Sequence, residues 1–468
     1  MTEEELEQWQ DEFDAFHARF ADLFERSESR EQARKYLRGL LTEAERKNSW
    51  QVAEAVGDRI PDRMQRLLYR VPWDADAARD RLQQFVIETF GDPEGIGVVD
   101  ETGFLKKGTH SVGVARQYTG TAGKRENSQV ATVLSYATKD AHVFLDRALY
   151  LPEAWASDRV RRAQAHVPQE VRFATKPEQA MAMLERAWEH GVSMRWVTGD
   201  EVYGDSPRLR ETIQAHGRFY VLAVSANTRV WVERPEVEEP EEQTGGRPRL
   251  APRVAKGAPK ARMVSEVIAD LPRTAWKRLA VVEGEKGMIT YHWARVRVVE
   301  SRDQLPGPDV WLLARRSPST PDKLAYYLAY APPKTSLETL VRVASTRYTV
   351  EQCIEEAKGE TGLDEYEVRF WHSWYRHITL SMMAHAWLVS IKGGEQGKKS
   401  SATDELAGLT VPEVRRLLAI ALPLPVRSPE ARLAWSLFRR RKRLWARRSH
   451  YRRRARSRSA RPSSHAPS

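Results

Sequence analysis

From Gly95 to Asn227 the spacing of apolar residues admits few folds. "GIGVVDE" reads as a strand, and "SQVATVLSYAT" and "HVFLDRALYLP" are β-branched or alternating runs separated by the turn-like "KDA". "KPEQAMAMLERAWEHG" is then an amphipathic helix stopped by Gly191. A second short apolar run, "SMRWVTGDEVYG", a helix, "SPRLRETIQAHG", and a strand, "RFYVLAVSAN", complete the series. Three strands in a meander, then two helix–strand crossovers of right-handed sense, build an α/β mixed sheet with flanking helices.

The segments on either side have a different texture. Residues 1–92 read as helical: Trp9, Phe13, Phe16, Phe20 and Phe24 fall on one face, and Ser29 and Asp74 are expected N-caps. Within them "ERKNSWQVAEAVGDRIPDRMQRLLYR" suits a helix-turn-helix-like DNA module and plain bundle packing equally. The sheet region, 93–224, is followed by a β-rich insertion, 225–334, which opens on a Pro-, Gly- and charge-rich loop from Val232 to Arg262. Helical texture resumes over 335–392, with Thr335 and Glu338 as an expected capping box. Residues 393–468 read as a linker, "GGEQGKKSSATDE", short helices and an Arg-rich tail.

Charge placement narrows the partner. Among 468 residues there are 75 basic and 64 acidic ones, but Arg439 to Arg461 holds 12 Arg, one Lys and no acid. Without those thirteen the chain is near neutral. So dense a cluster, at Arg439, Arg440, Arg441, Lys442, Arg443, Arg447, Arg448, Arg452, Arg453 and Arg454, points to a polyphosphate, most simply nucleic acid. Trp445 and Tyr451 interleave with it and can stack on bases or pack. A solvated end without a specific partner is the plainer reading. Cys353 is the single cysteine, which excludes an internal disulfide and a cysteine zinc site and fits a reducing compartment. No apolar run is long enough to span a membrane, and the acidic start is no signal peptide.

Three carboxylates stand out. Asp100 and Asp200 each close an apolar run in the same sheet, and Glu351 lies on the helix after the insertion. An Asp at a strand end is commonly a turn residue. Three meeting acids would instead repel one another unless divalent cations neutralise them, and hard Mg²⁺ or Mn²⁺ suits oxygen ligands. Two such ions roughly 4 Å apart support in-line phosphoryl displacement. Arg347, Glu351, Glu355 and Lys358 share one helix face, so Arg347 and Lys358 would flank Glu351 as phosphate clamps. A salt-bridged surface helix gives the same spacing. Glu355 is the nearest rival to Glu351, Asp146 is another acid in the region, and Glu101 should point to the opposite face from Asp100.

The blocks "VVDETGFLKKGTHSVGVARQYTGTAGKRENSQVAT", "WVTGDEVYGD", "IEEAKGETGLDEYEVRFWHSWYRHITLSMMAHA" and "ARRSHYRRR" occur in this order. In them the chain resembles the DDE-type transposases of bacterial insertion sequences, in the branch related to insertion sequence four and typified by insertion sequence seven-oh-one. The resemblance implies a ribonuclease-H-like core interrupted by a β-rich insertion. It implies Asp100, Asp200 and Glu351 as catalytic metal ligands for Mg²⁺ or Mn²⁺, two ions in all. Arg347 and Lys358 match the basic members of the family's Tyr-Arg-Glu-Lys helix motif; its tyrosine falls on Ala344, and Tyr348 is not given that role. The implied activity is metal-dependent cutting of transposon ends and joining of the 3′-OH ends to target DNA. The partners are double-stranded DNA and a second copy of the chain, with no membrane, at the nucleoid of a bacterial cytoplasm. A DNA-binding remnant without catalysis, or a nuclease without strand transfer, is the alternative. Lys106, Lys107, Lys124 and Arg125 lie among glycines after the first strand, where they could track the DNA backbone or form a solvated hairpin. His372, His377 and His385 read as hydrogen-bonded core residues rather than ligands.

Overall fold

The computed structural model describes residues 3–240, 251–284, 287–320, 322–399 and 408–459. The expected loop of Val232–Arg262, the 393–405 linker and the tail therefore lie partly outside the described residues.

Five helices come first: α1 (Glu3–Ala18), α2 (Ser27–Leu40), α3 (Ser49–Ala55), α4 (Asp62–Tyr69) and α5 (Ala75–Phe90). The aromatic stripe Trp9, Phe13, Phe16, Phe20 and Phe24 is buried throughout. It does not sit on one helix, however. α1 stops at Ala18, and in the turn that follows the Ala21 carbonyl accepts both the Phe24 amide and, at 3.0 Å, the Arg30 side chain. Asp74 caps α5 through the amides of Asp76 and Ala77, whereas Ser29 caps nothing, because α2 begins two residues earlier. These helices share a core with the rest of the chain: Phe13 meets Trp387 edge-on, with ring centroids 5.3 Å apart.

The sheet is built from β1 (Ile96–Leu105), β2 (Ala115–Thr119), β3 (Lys124–Ala137) and β4 (His142–Leu149). The short helices α6 (Glu153–Ala156) and α7 (Arg159–Gln164) and the longer α8 (Lys176–Glu189) follow. Then come β5 (Trp196–Gly199), α9 (Glu201–Gly204), α10 (Pro207–Ala215) and β6 (Phe219–Val224). β1, β3 and β4 form an antiparallel meander, and β5 and β6 run parallel to β1 on its other side. The spatial order β4-β3-β1-β5-β6 is the ribonuclease-H-like arrangement expected from the segment order.

The insertion contributes β7 (Arg229–Trp231), β8 (Val237–Glu238), β9 (Arg253–Val254), β10 (Arg262–Met263), α11 (Val264–Ala269), β11 (Lys277–Gly284), β12 (Gly287–Arg302), β13 (Leu305–Arg316) and β14 (Leu324–Tyr330). It continues the core sheet, since β14 pairs antiparallel with the outer edge of β6, and β13, β12, β7 and β10 follow in turn.

After it come α12 (Leu337–Thr361), α13 (Trp371–Lys399), α14 (Val411–Ala421) and α15 (Pro429–Ser459). Ser336, not Thr335, caps α12, accepting the Thr339 amide at 3.0 Å. α13 runs on through Gly393 and Gly394, so this part of the expected linker is helical. A Cβ at either glycine would meet nothing, and a helical glycine costs only about 1 kcal/mol relative to alanine. On α13, His377 bonds the Tyr36 hydroxyl at 2.9 Å and the Gly362 carbonyl at 3.0 Å, and His385 faces Glu356 at 3.4 Å. No helix among the described residues is long and apolar enough to cross a membrane.

Candidate active site

Asp100 is not where a strand stops. β1 continues five residues beyond it and stays paired with β3 as far as Leu105. What ends near Asp100 is the other edge: β5 pairs with β1 only from Ile96 opposite Trp196 to Val99 opposite Gly199. Asp100 and Asp200 are therefore the next residues on two neighbouring parallel strands, at the point where the strands part. Glu101 donates its backbone N–H to Asp100 Oδ1 at 2.7 Å. Asp200 caps α9, its Oδ1 accepting the Val202 amide at 2.9 Å.

Alternation decides which way each side chain points. Ile96 and Val98 pack with Leu340, Val341 and Ala344 of α12, so Asp100 shares that face. Glu101 turns to the other face and pairs with Lys176 at the start of α8. Burial pushes the Asp100 carboxyl up to about 7, and the charge of Asp200 adds to this, while the Glu101 amide and Arg347 oppose it. Tyr203, fully buried one turn after Asp200, is raised well above its usual range by burial and by the charges of Glu101, Asp100 and Asp200.

Close backbone approach holds the two aspartates in place. A Cβ on Gly199 would lie 2.7 Å from Val99 Cγ2, and one on Gly204 would lie 1.7 Å from the Ala223 carbonyl oxygen. That oxygen is backbone and cannot yield, so Gly204→Ala must lift α9 away from β6. The expected result is a loss of about 1–3 kcal/mol, read as a lowered thermal midpoint. An unchanged midpoint would show that α9 is not pinned to β6 as described.

The third acid is placed differently from the expectation. α12 packs across β1, β5 and β6, but Glu351 does not join the other two. Among the described residues no three His, Cys, Asp or Glu side chains converge as a metal cage. Arg347 stands between: its Nη1 is 3.9 Å from Asp100 Oδ2 and 3.4 Å from Glu351 Oε1. The salt-bridged helix and the site helix are thus the same object. Lys358 is committed inward, donating to the Gly103 carbonyl at 3.1 Å and to Thr121 Oγ1 at 3.2 Å, so it braces β1 instead of standing free as a clamp. Glu355, its rival in the sequence, is one of the charges acting on that lysine.

The basic residues after β1 divide. Lys106 departs from the expectation: its ammonium lies 3.6 Å from the Tyr366 ring centroid and donates to the Tyr366 carbonyl at 3.3 Å, and burial lowers its pKa to about 8. Lys107, Lys124 and Arg125 are exposed on or beside the β2–β3 hairpin, with Lys124 pairing to Glu126 at 3.2 Å. The Arg-rich tail is helical over its described part, as far as Ser459. Trp435 anchors α15 to the N-terminal helices by donating to the Asp58 carbonyl at 2.9 Å, and Arg439 pairs with Glu54. Beyond that anchor Arg440, Arg441, Arg443, Arg447, Arg448, Arg452, Arg453 and Arg454 lie on exposed helix, and Lys442 rests over Phe438 and Trp445.

Sequence reading missed the aromatic and basic groups that the insertion brings to this face. Arg315 of β13 donates to the Tyr348 hydroxyl and lies 4.6 Å from the Tyr291 ring centroid. Tyr327 of β14 is buried within reach of the charges of Arg315 and Arg347. The pairing of β14 with β6, which sets Tyr327 opposite Ala223, brings these residues to the side of the sheet that α12 covers, and local pattern carries no trace of that pairing.

The fold is thus a ribonuclease-H-like mixed sheet with two aspartates at the parting of its parallel strands. The chain belongs to the DDE superfamily endonuclease family, whose match spans residues 19–288. It is 23% identical over 340 residues to the probable transposase for insertion sequence element IS701 of Microchaete diplosiphon, covering 72% of this chain and 77% of that one. Among solved structures it aligns with the piggyBac transposase synaptic complex with hairpin DNA at 11% identity and a TM-score of 0.38, over 87% of this chain and 76% of that one. It also aligns with the NurA nuclease from Sulfolobus solfataricus at 9% identity and a TM-score of 0.23, over 64% and 94%.

Proposed function

We propose that this protein is a DNA transposase that cuts phosphodiester bonds at the ends of its own element and joins the resulting 3′-OH ends to target DNA. The observation that carries the reading is the β1–β5 register, which makes Asp100 and Asp200 adjacent beneath the helix bearing Arg347 and Glu351. Asp100, Asp200 and Glu351 would hold Mg²⁺ or Mn²⁺. The donor chemistry fits, since all three are hard carboxylate oxygens; Glu351 stands across Arg347 from the aspartates, and Asp100 is a buried acid that burial, aided by the charge of Asp200, holds up to about 7. Bound there, two such ions supply an activated water and neutralise charge on the leaving oxygen.

The chain's own groups do the rest. The Glu101 and Val202 amides fix one oxygen each of Asp100 and Asp200, so the pair is oriented before substrate arrives. Lys107, Lys124, Arg125 and the exposed arginines of α15 offer sequence-independent phosphate contacts, and the N-terminal helices to which α15 is anchored would hold the ends with it. A two-ended substrate calls for at least two copies in the working complex. The test is incubation with DNA carrying the element's own ends in Mg²⁺, with nicked, cut and joined products resolved. Parent protein should yield all three, and Asp200→Ala should bind the ends without cutting them. Cutting by Asp200→Ala at the parental rate would remove the assignment.

A further inference from the structure

Arg347 is oddly placed for a group whose task is to meet DNA. Its guanidinium lies between two acids, Asp100 at 3.9 Å and Glu351 at 3.4 Å, and its side chain is only 20% exposed. It is also held. The Tyr348 ring lies 4.7 Å from Arg347 Cζ and 5.2 Å from Arg315 Cζ, so one aromatic ring is shared by two guanidinium groups. Arg315 in turn donates to the Tyr348 hydroxyl. Arginine stacked on an aromatic face keeps its planar fork in one orientation.

We infer that Arg347 is the site's resident counter-cation, positioned by Tyr348 and Arg315, and that it competes with divalent metal for Asp100 and Glu351. The inference rests on the reading of those acids as metal ligands. A divalent ion held by the same oxygens would stand within a few ångströms of the guanidinium charge, at a distance where like charges repel strongly in a partly buried site. The guanidinium therefore leaves its carboxylates when metal enters. Tyr348 and Arg315 are positioning residues in this scheme: they set where the charge rests, and they couple the insertion to the metal site.

The test is Mn²⁺ binding to the full-length protein without DNA, followed by titration calorimetry and by the loss of the free-ion electron paramagnetic resonance signal. Arg347→Gln should bind Mn²⁺ about tenfold more tightly than the parent. Arg347→Lys, which keeps the charge, should stay within about threefold of it. Thermal melting of both variants checks that they are folded. Equal tightening in Gln and Lys variants, or none in the Gln variant, overturns the inference. Asp100→Asn separates the two levels. If the parent's Mn²⁺ binding depends on Asp100 while Arg347→Gln leaves it unchanged, the competition alone fails. If Asp100→Asn binds Mn²⁺ as the parent does, the metal-site reading fails and the competition with it.

Discussion

Asp100→Asn should abolish cutting of the element's ends and, in the same preparation, raise the thermal midpoint of the metal-free protein at pH 8. The first effect follows from the proposed role of Asp100 as a charged ligand, and a loss of about a thousandfold or more corresponds to ~4 kcal/mol of transition-state stabilisation. The second runs the opposite way from most active-site substitutions. An aspartate ordinarily titrates at 3.8, and burial, aided by Asp200, lifts Asp100 to about 7. Between those values the folded chain holds a proton that the unfolded chain has lost. The stability tied to this group is therefore complete below about pH 4 and is lost as the pH rises through 7, amounting to on the order of 3–4 kcal/mol by pH 8. Asn keeps the shape and carries no charge, so it escapes that loss. Melting curves with chelator at pH 5 and pH 8 decide the matter: the variant's advantage should be full at pH 8 and under about half as large at pH 5. A variant that melts below the parent at pH 8 would show that Asp100 is adequately compensated without metal.

Asp146→Ala should do the reverse, weakening the fold while leaving the chemistry intact. Asp146 is wholly buried and meets Arg186 at 3.0 Å, Arg79 at 3.3 Å and Arg147 at 3.4 Å. Those arginines come from α8, α5 and β4, so one carboxylate joins an N-terminal helix to a strand and a helix of the sheet region. Removing it leaves buried guanidinium groups short of a counter-charge, and breaking such a cluster costs about 3–5 kcal/mol. The denaturation midpoint in urea should fall with the slope unchanged, while cleavage per folded molecule at low temperature stays at the parental level. A loss below about 1 kcal/mol, or lost cleavage with stability intact, would show that the acid has been misplaced.

The contrast between these two aspartates shows what pattern can reveal. Both follow or sit within apolar runs, and only their neighbours separate them. The apolar runs that lead to Asp100 and Asp200, and their order in the chain, were legible because they depend on local alternation and on the handedness of crossovers. That β1 runs past Asp100 was not, because "ETGFL" holds a glycine and two polar residues and looks like a turn until its ladder with β3 is seen. Lys106 and Lys358 looked like surface cations because charge is visible in a sequence and burial is not. The Arg347 bridge was half visible: the i,i+4 spacing to Glu351 could be read, but the approach to Asp100 depends on how α12 crosses β1.

The continuous sheet has a mechanical consequence. β5, the strand that delivers Asp200, is laced to β6 from Trp196 through Gly199, and the far edge of β6 is laced to β14 from Tyr220 through Val224. Two ladders of backbone hydrogen bonds thus make the insertion and the strand of Asp200 parts of one stiff beam. A load applied to the insertion would travel along that beam to the aspartate without crossing a loop. The core cannot yield there as a hinge would, so any compliance around Asp200 falls to the helices that lie on the sheet.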